Sequence, residues 1–298
     1  MSKRLNIPLV LSLVAVAGSA HWGCSFTTIN AAPEPGSSLD EMASARAAIK
    51  LRAKIADNGN FVISYEPATK KGLKVVAEAV KDAEALSQLL PDLNANFALE
   101  KDLPIVFSEC GTANAHYDPN EQKITICYEF IQYLAEGFTQ VFDRTEDADA
   151  ALTNALTFVF FHELGHALIH IDQIPSTGGA EAASDEFATF LLLALGDEAK
   201  LTALHAAVAF ARIVGATDSL DNETLGDEHP LGRQRAYNIL CWVYGAKPDE
   251  KDMRDTAKTA GLPESRLDRC GEEYEAMNNA WLELLGPHLK QEASTAPE

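Results

Sequence analysis

At 298 residues, with 47% apolar and 23% charged side chains, the chain is long enough for one large domain or two small ones, and its composition excludes a disordered protein. Its 24 Lys+Arg against 44 Asp+Glu give a net charge of −20, which argues against nucleic acid as a partner. The acidity favours solubility and identifies no substrate.

Lys3 and Arg4, the apolar run from Ile7 to Ala17 and the small residues Gly18-Ser19-Ala20 make residues 1–20 a signal peptide cleavable after Ala20. The run is too short to cross a bilayer comfortably, so an exported protein, secreted or periplasmic, is expected. Cys24 stands where a bacterial lipoprotein carries its lipidated cysteine. Of the preceding His21-Trp22-Gly23, however, only Gly23 suits that processing, and a membrane tether is expected only if Cys24 is lipidated. Residues 21–57 read as a linker, with Ala-Ala-Pro-Glu-Pro-Gly-Ser-Ser at 31–38, and an Ala-rich helical stretch from Asp40 to Ala56. One domain is expected over 58–290 and a flexible tail over 291–298.

Alternation predicts a short strand from Phe61 to Tyr65, and helical spacing follows from Gly72 to Leu90 through Val75, Val76, Val80, Ala83 and Leu86. Strands are expected at Leu103 to Phe107 and Lys123 to Tyr128, joined by the Asp118-Pro119-Asn120 turn. Asn114 and Ala115 are candidates for an edge strand that pairs with an extended peptide. From Ile131 the pattern is helical, near 131–142, 148–171, 180–195, 197–214, 231–244 and 272–286. Strands gathered early and helices late predict an α+β domain. A small N-terminal β-sheet then precedes a mainly helical C-terminal part.

Beyond Cys24, the cysteines are Cys110, Cys127, Cys241 and Cys270, an even number suited to an oxidising compartment. Three connectivities are open, and sequence alone does not choose among them. Local structure favours Cys110 with Cys127, because the turn-rich segment from Gly111 to Gln122 would return the second strand beside the first; Cys241 with Cys270 then follows. No Cys-x-x-Cys occurs, so a cysteine-based zinc site has little support.

The stretch His162-Glu163-Leu164-Gly165-His166 carries the chemistry. On a helix its two histidines share a face and can reach one ion at roughly 2.0–2.1 Å, the usual Zn–N distance. Glu163, one step round, is placed to take a proton from attacking water. Such a pattern also arises by chance in amphipathic helices. Here Leu156, Phe158, Val159, Phe160 and Phe161 precede it and Ala167, Leu168 and Ile169 follow. A helix apolar nearly all round is buried, and buried histidines and glutamates are costly unless paired or metal-bound. Gly165 reads as a packing glycine.

A catalytic zinc takes three protein ligands and leaves one place open. His170 falls roughly 12 Å along the axis from His162, too far to close around the same ion. Asp172 would need a chain-reversing glycine where Ile169 stands. Glu181 opens a new helix after the Pro175-Ser176-Thr177-Gly178-Gly179 break, with Asp185 one turn on. An exposed acidic first turn is the ordinary reading of such residues. With the histidine motif upstream, Glu181 is expected as the third ligand and Asp185 as the acceptor of a ligand histidine's other ring N–H.

These residues resemble the gluzincin metallopeptidases, in which His-Glu-x-x-His is followed by a glutamate on a second helix, often with an aspartate four residues later. More closely, the chain is similar to a bacterial family of exported proteins assigned as metallopeptidases mainly from sequence. The resemblance rests on Phe161 through Ala167, Glu181 through Asp185, Cys110-Gly111 with Asn114-Ala115, Cys127-Tyr128-Glu129, and Gln234-Arg235 before Asn238-Ile239-Leu240-Cys241. It covers roughly residues 60 to 290 and implies a zincin-like fold and peptide hydrolysis.

A donor to the developing oxyanion is also needed. His229, in Asp227-Glu228-His229-Pro230, is the candidate, with Arg233 and Arg235 close behind; a helix-start histidine with surface arginines is the competing reading. The expectation is therefore an exported Zn²⁺-dependent metallopeptidase acting on peptide or protein substrates through a zinc-bound water activated by Glu163. The rival is a non-catalytic, extracytoplasmic zinc-binding interaction module.

Overall fold

A computed structural model describes residues 56–176, 178–217 and 231–290. The expected signal peptide, Cys24, the linker, nearly all of the Ala-rich stretch, His229 and the C-terminal tail lie outside the described residues.

The strands are β1 (Phe61–Tyr65), β2 (Leu103–Ser108), β3 (Ala115–Asp118) and β4 (Lys123–Cys127), in sheet order β1-β2-β4-β3. β1 runs parallel to β2 and β2 parallel to β4, while β3 pairs antiparallel with β4 on the edge. The expected turn at Asp118-Pro119-Asn120 thus closes a hairpin between β3 and β4 and does not join the second strand to the third in a direct return. The Asp118 carboxylate fastens that turn by accepting the backbone N–H of Asn120 at 2.8 Å. Leu103, Ile105 and Phe107 on β2 and Ile124 and Ile126 on β4 are buried, as the inner strands of a covered sheet require.

Helices α1 (Lys71–Ala83) and α2 (Leu90–Asn96) lie between β1 and β2. The single helix expected from 72 to 90 is interrupted after Ala83, where Glu84 takes a left-handed conformation at φ 52°. After β4 come α3 (Tyr128–Val141), α4 (Thr145–Ile171), α5 (Ala180–Ala194), α6 (Asp197–Arg212) and α7 (Gly232–Gly245). The chain then forms α8 (Lys251–Thr259), the short α9 (Glu264–Leu267) and α10 (Cys270–Leu285). The architecture is α+β, with the small sheet early and a mostly helical C-terminal part. At its centre is α4, 27 residues long, packed against α3, α5, α6 and β3. Its middle, from Phe158 to Gly165, is buried all round, which explains why the sequence there shows no polar face.

Disulfides join Cys110 to Cys127 and Cys241 to Cys270. Both are consistent with an extracellular location. The first ties the chain leaving β2 to the last residue of β4. The second clamps α7 to α10 beside a satellite core of Tyr244, Ala257, Leu262 and Leu267. Gly245 allows that clamp: a Cβ there would stand 2.0 Å from the Cys270 carbonyl oxygen.

Candidate metal centre

The buried middle of α4 carries His162, Glu163 and His166, and the first turn of α5 carries Glu181. The two helices meet closely because Gly165 has no side chain. A Cβ there would lie 3.0 Å from Ser184 Cα and 3.2 Å from Phe187 Cδ1. Gly165→Ala should gain about 1 kcal/mol of helix propensity yet lose more by forcing the α5 backbone away. We expect a net destabilisation of roughly 1–2 kcal/mol, within the usual range for overpacking, read from the denaturant midpoint. A variant at least as stable as the parent would contradict this packing role.

The helix crossing brings three donors together. His162 Nε2 and His166 Nε2 are 3.1 Å apart; Glu181 places one oxygen 3.2 Å from the first and the other 3.1 Å from the second. The ligands of a tetrahedral zinc at roughly 2.0–2.1 Å stand about 3.3 Å from one another, so this spacing fits such an ion with little adjustment. Among the described residues, His162, His166 and Glu181 form the group that could hold a metal.

Behind this group lies a second set of contacts. His162 Nδ1 is 2.9 Å from the Asp185 carboxylate, so Nδ1–H donates to Asp185, and Nε2 is the nitrogen whose lone pair, once its proton is lost, would face the other donors. Arg235 on α7 donates to both Asp185 oxygens, from Nε at 2.8 Å and from its terminal nitrogen at 2.7 Å. Its guanidinium carbon lies over the Phe210 ring, 3.9 Å from the centroid. Burial pushes the His162 imidazole down and the Asp185 hydrogen bond pushes it up, so that it stands at about 9. Burial raises Asp185, but the guanidinium outweighs it and holds the carboxyl at about 2. Surroundings that hold a proton on His162 are negative enough to hold a cation in its place, and a bound metal would compete with that proton.

Glu163 borders the same cleft as the three donors. Burial pushes its carboxyl up, the imidazoles of His162 and His166 pull it back, Glu181 adds to the rise, and the nearby Tyr117 backbone N–H lowers it slightly. That N–H belongs to β3, so the edge strand passes directly beside the carboxylate. Strand and metal group border one cleft of about 1010 Å³, whose lining includes Asn114, Tyr117, Val159, Phe210 and Arg235.

His170 and Asp172, the two candidates set aside as ligands, have partners outside the metal group. His170 is exposed and pairs with the Tyr117 hydroxyl at 3.0 Å. Asp172 meets His288 Nδ1 at 2.9 Å, linking the end of α4 to the end of the domain. Arg233 is exposed, whereas Arg235 is buried. Sequence reasoning missed the Tyr117 backbone contact, for which no side-chain signal exists, and gave Arg235 no partner.

A family model described as "Putative metallopeptidase" matches residues 65–285. The chain belongs to that metallopeptidase family. No curated protein and no solved structure matches it. Membership implies a metal and a peptidase-like function, and every residue of the donor group and of its Asp185–Arg235 support falls inside the matched region.

Proposed function

We propose that the chain is an exported zinc-dependent metallopeptidase in which His162, His166 and Glu181 hold the metal and Glu163 is the general base. The observation that carries this reading is the approach of two imidazole nitrogens and a carboxylate to 3.1–3.2 Å, with a buried glutamate beside them at a cleft walled by an edge strand. Zinc bound there would polarise the scissile carbonyl and acidify the attacking water. Glu163 would take that water's proton and deliver it to the leaving amine. Its raised carboxyl suits both halves of that transfer. The free edge of β3, around Asn114 and Ala115, offers backbone groups to an extended peptide, and Val159 and Phe210 give the cleft an apolar wall for a substrate side chain. His229 remains the candidate for the oxyanion. Export is supported by the N-terminal sequence and the two disulfides. Digestion of a diverse peptide library by zinc-loaded protein tests the reading; stoichiometric zinc without turnover would favour the non-catalytic module.

Arg235 acts in this account through Asp185, since its fork is committed to that carboxylate and its guanidinium carbon lies over Phe210. Arg235→Met leaves Asp185 buried without its cation, held only by the His162 Nδ1–H, which should cost up to about 3–5 kcal/mol of stability and weaken zinc by roughly 10–100-fold. Arg235→Lys, which keeps the charge but not the fork, should fall between. Chemical denaturation and zinc titration of both variants check this, and an Arg235→Met protein with unaltered stability and zinc affinity would contradict it.

A further inference from the structure

The metal-site cleft has two ends of different character. Val159, His162, His166 and His170 succeed one another at three and four residues along one face of α4, so the cleft they line follows that helix for about 16 Å. At the Val159 end the wall is apolar. Phe210 reaches it by packing on Phe158, ring centroids 5.8 Å apart, and the Tyr133 hydroxyl, donating to the Ile213 carbonyl at 2.9 Å, brings the Tyr133 ring beside Val214.

The His170 end is an aromatic corner. The Tyr117 hydroxyl and His170 Nδ1 are 3.0 Å apart, and the two rings meet at 52° with centroids 5.7 Å apart, too steep for a stack. Tyr117 is half-buried, His170 is exposed, and both line the cleft. The corner is electronegative: burial, and then the carboxylates of Asp118 and Asp172, push the Tyr117 phenol up to about 12. Among the described residues no lysine lines the cleft, and its one arginine, Arg235, is held by Asp185. Lys123, in the β3–β4 hairpin, is engaged by Glu121. An aromatic face backed by carboxylates attracts an ammonium or, better, a guanidinium, which can also stack on the ring. The net charge of −20 steers cationic peptides toward the chain.

We propose, on the reading of the cleft as a peptide site, that Tyr117 and His170 form the subsite that selects a basic side chain, arginine above lysine. Tyr117 supplies the ring face, and His170 holds that ring through its hydroxyl and closes the second wall. His170 stands about 9 Å along α4 from the midpoint of His162 and His166, so the selected residue lies two to three extended residues from the metal. The apolar end then takes a large hydrophobic side chain on the opposite side of the metal, about five residues from the basic one.

Peptide binding to zinc-loaded Glu163→Gln protein, used to keep the ligand intact, tests the proposal without relying on turnover. Two peptides carry Phe and Arg separated by four alanines, Phe first in one and Arg first in the other. Each has a counterpart with citrulline, which keeps the shape without the charge, and one with Glu. In at least one order the Arg peptide should bind about five- to tenfold more tightly than the citrulline peptide, and the Glu peptide more weakly than either. Tyr117→Leu should bring the ratio of Arg to citrulline affinity close to one. His170→Leu, at an exposed position, should narrow it at least about twofold and decides the matter if the Tyr117 variant fails to fold. Equal affinity for Arg and citrulline in both orders overturns the proposal. So does a preference that survives either variant, or the absence of measurable binding by every peptide. Turnover separates the subsite from the reading beneath it. A parent protein that prefers the Arg peptide and cleaves nothing keeps the subsite and loses the peptidase; one that cleaves peptides without regard to Arg keeps the peptidase and loses the subsite.

Discussion

Glu163→Gln is expected to keep its zinc and lower the turnover of a cleaved peptide by roughly 10³–10⁴-fold, the upper range of a general base's contribution. Glutamine has nearly the same shape and keeps an oxygen that can face the Tyr117 backbone, so the local fold should survive. Its amide cannot take a proton from water at neutral pH. The substitution also removes a charge whose burial raises the carboxyl in the parent protein, so stability should be equal or slightly higher. Zinc content stays at one per chain because His162, His166 and Glu181 are untouched. The informative readouts are kcat on a peptide identified from a library and metal content on the same preparation. Equal turnover in the variant and the parent would remove Glu163 from the mechanism.

Glu181→Ala should have the opposite signature, losing metal and activity together. The remaining pair, His162 and His166, supplies only two of the three protein ligands a catalytic zinc takes, so affinity should fall by more than the roughly 10–100-fold that loss of an outer partner costs. The loss should also appear in stability. A ligand at about 1,000 times its Kd stabilises the folded state by roughly 4 kcal/mol, so zinc should raise the parent's melting temperature, and chelation should return it. In Glu181→Ala the same zinc should produce little shift. Thermal melts with zinc and with chelator check this, and a zinc-induced shift as large in the variant as in the parent would exclude Glu181 as a ligand.

The site was more legible in the sequence than the sheet, for identifiable reasons. His162 and His166 lie one helical turn apart, and that relation survives any tertiary arrangement. Glu181 and Asp185 repeat it after a Pro and Gly break, so their shared face was readable although their approach to α4 was not. Arg235 is 50 residues from Asp185 and 73 from His162 in the chain, and nothing local marks a pairing created by the packing of α7 on α6 and α5. β2 and β4 were readable as strands because their aliphatic residues must be buried. Their parallel pairing was hidden: a turn at Asp118 implies only a nearby hairpin, and β3, half exposed on Ala115, Tyr117 and Asp118, lacks an apolar face to announce the partner. α8 and α9 escaped notice because they are short and mostly polar, with one buried residue each, Ala257 and Leu267.

The central claim is that one metal sits between α4 and α5. Anomalous diffraction at the zinc edge, on crystals of zinc-loaded protein, tests it most directly. The account predicts a single dominant peak within about 2.0–2.2 Å of His162 Nε2, His166 Nε2 and a Glu181 carboxylate oxygen, with Asp185 outside bonding distance. A zinc-loaded crystal with no peak there, or with its ion held elsewhere by other side chains, would contradict it.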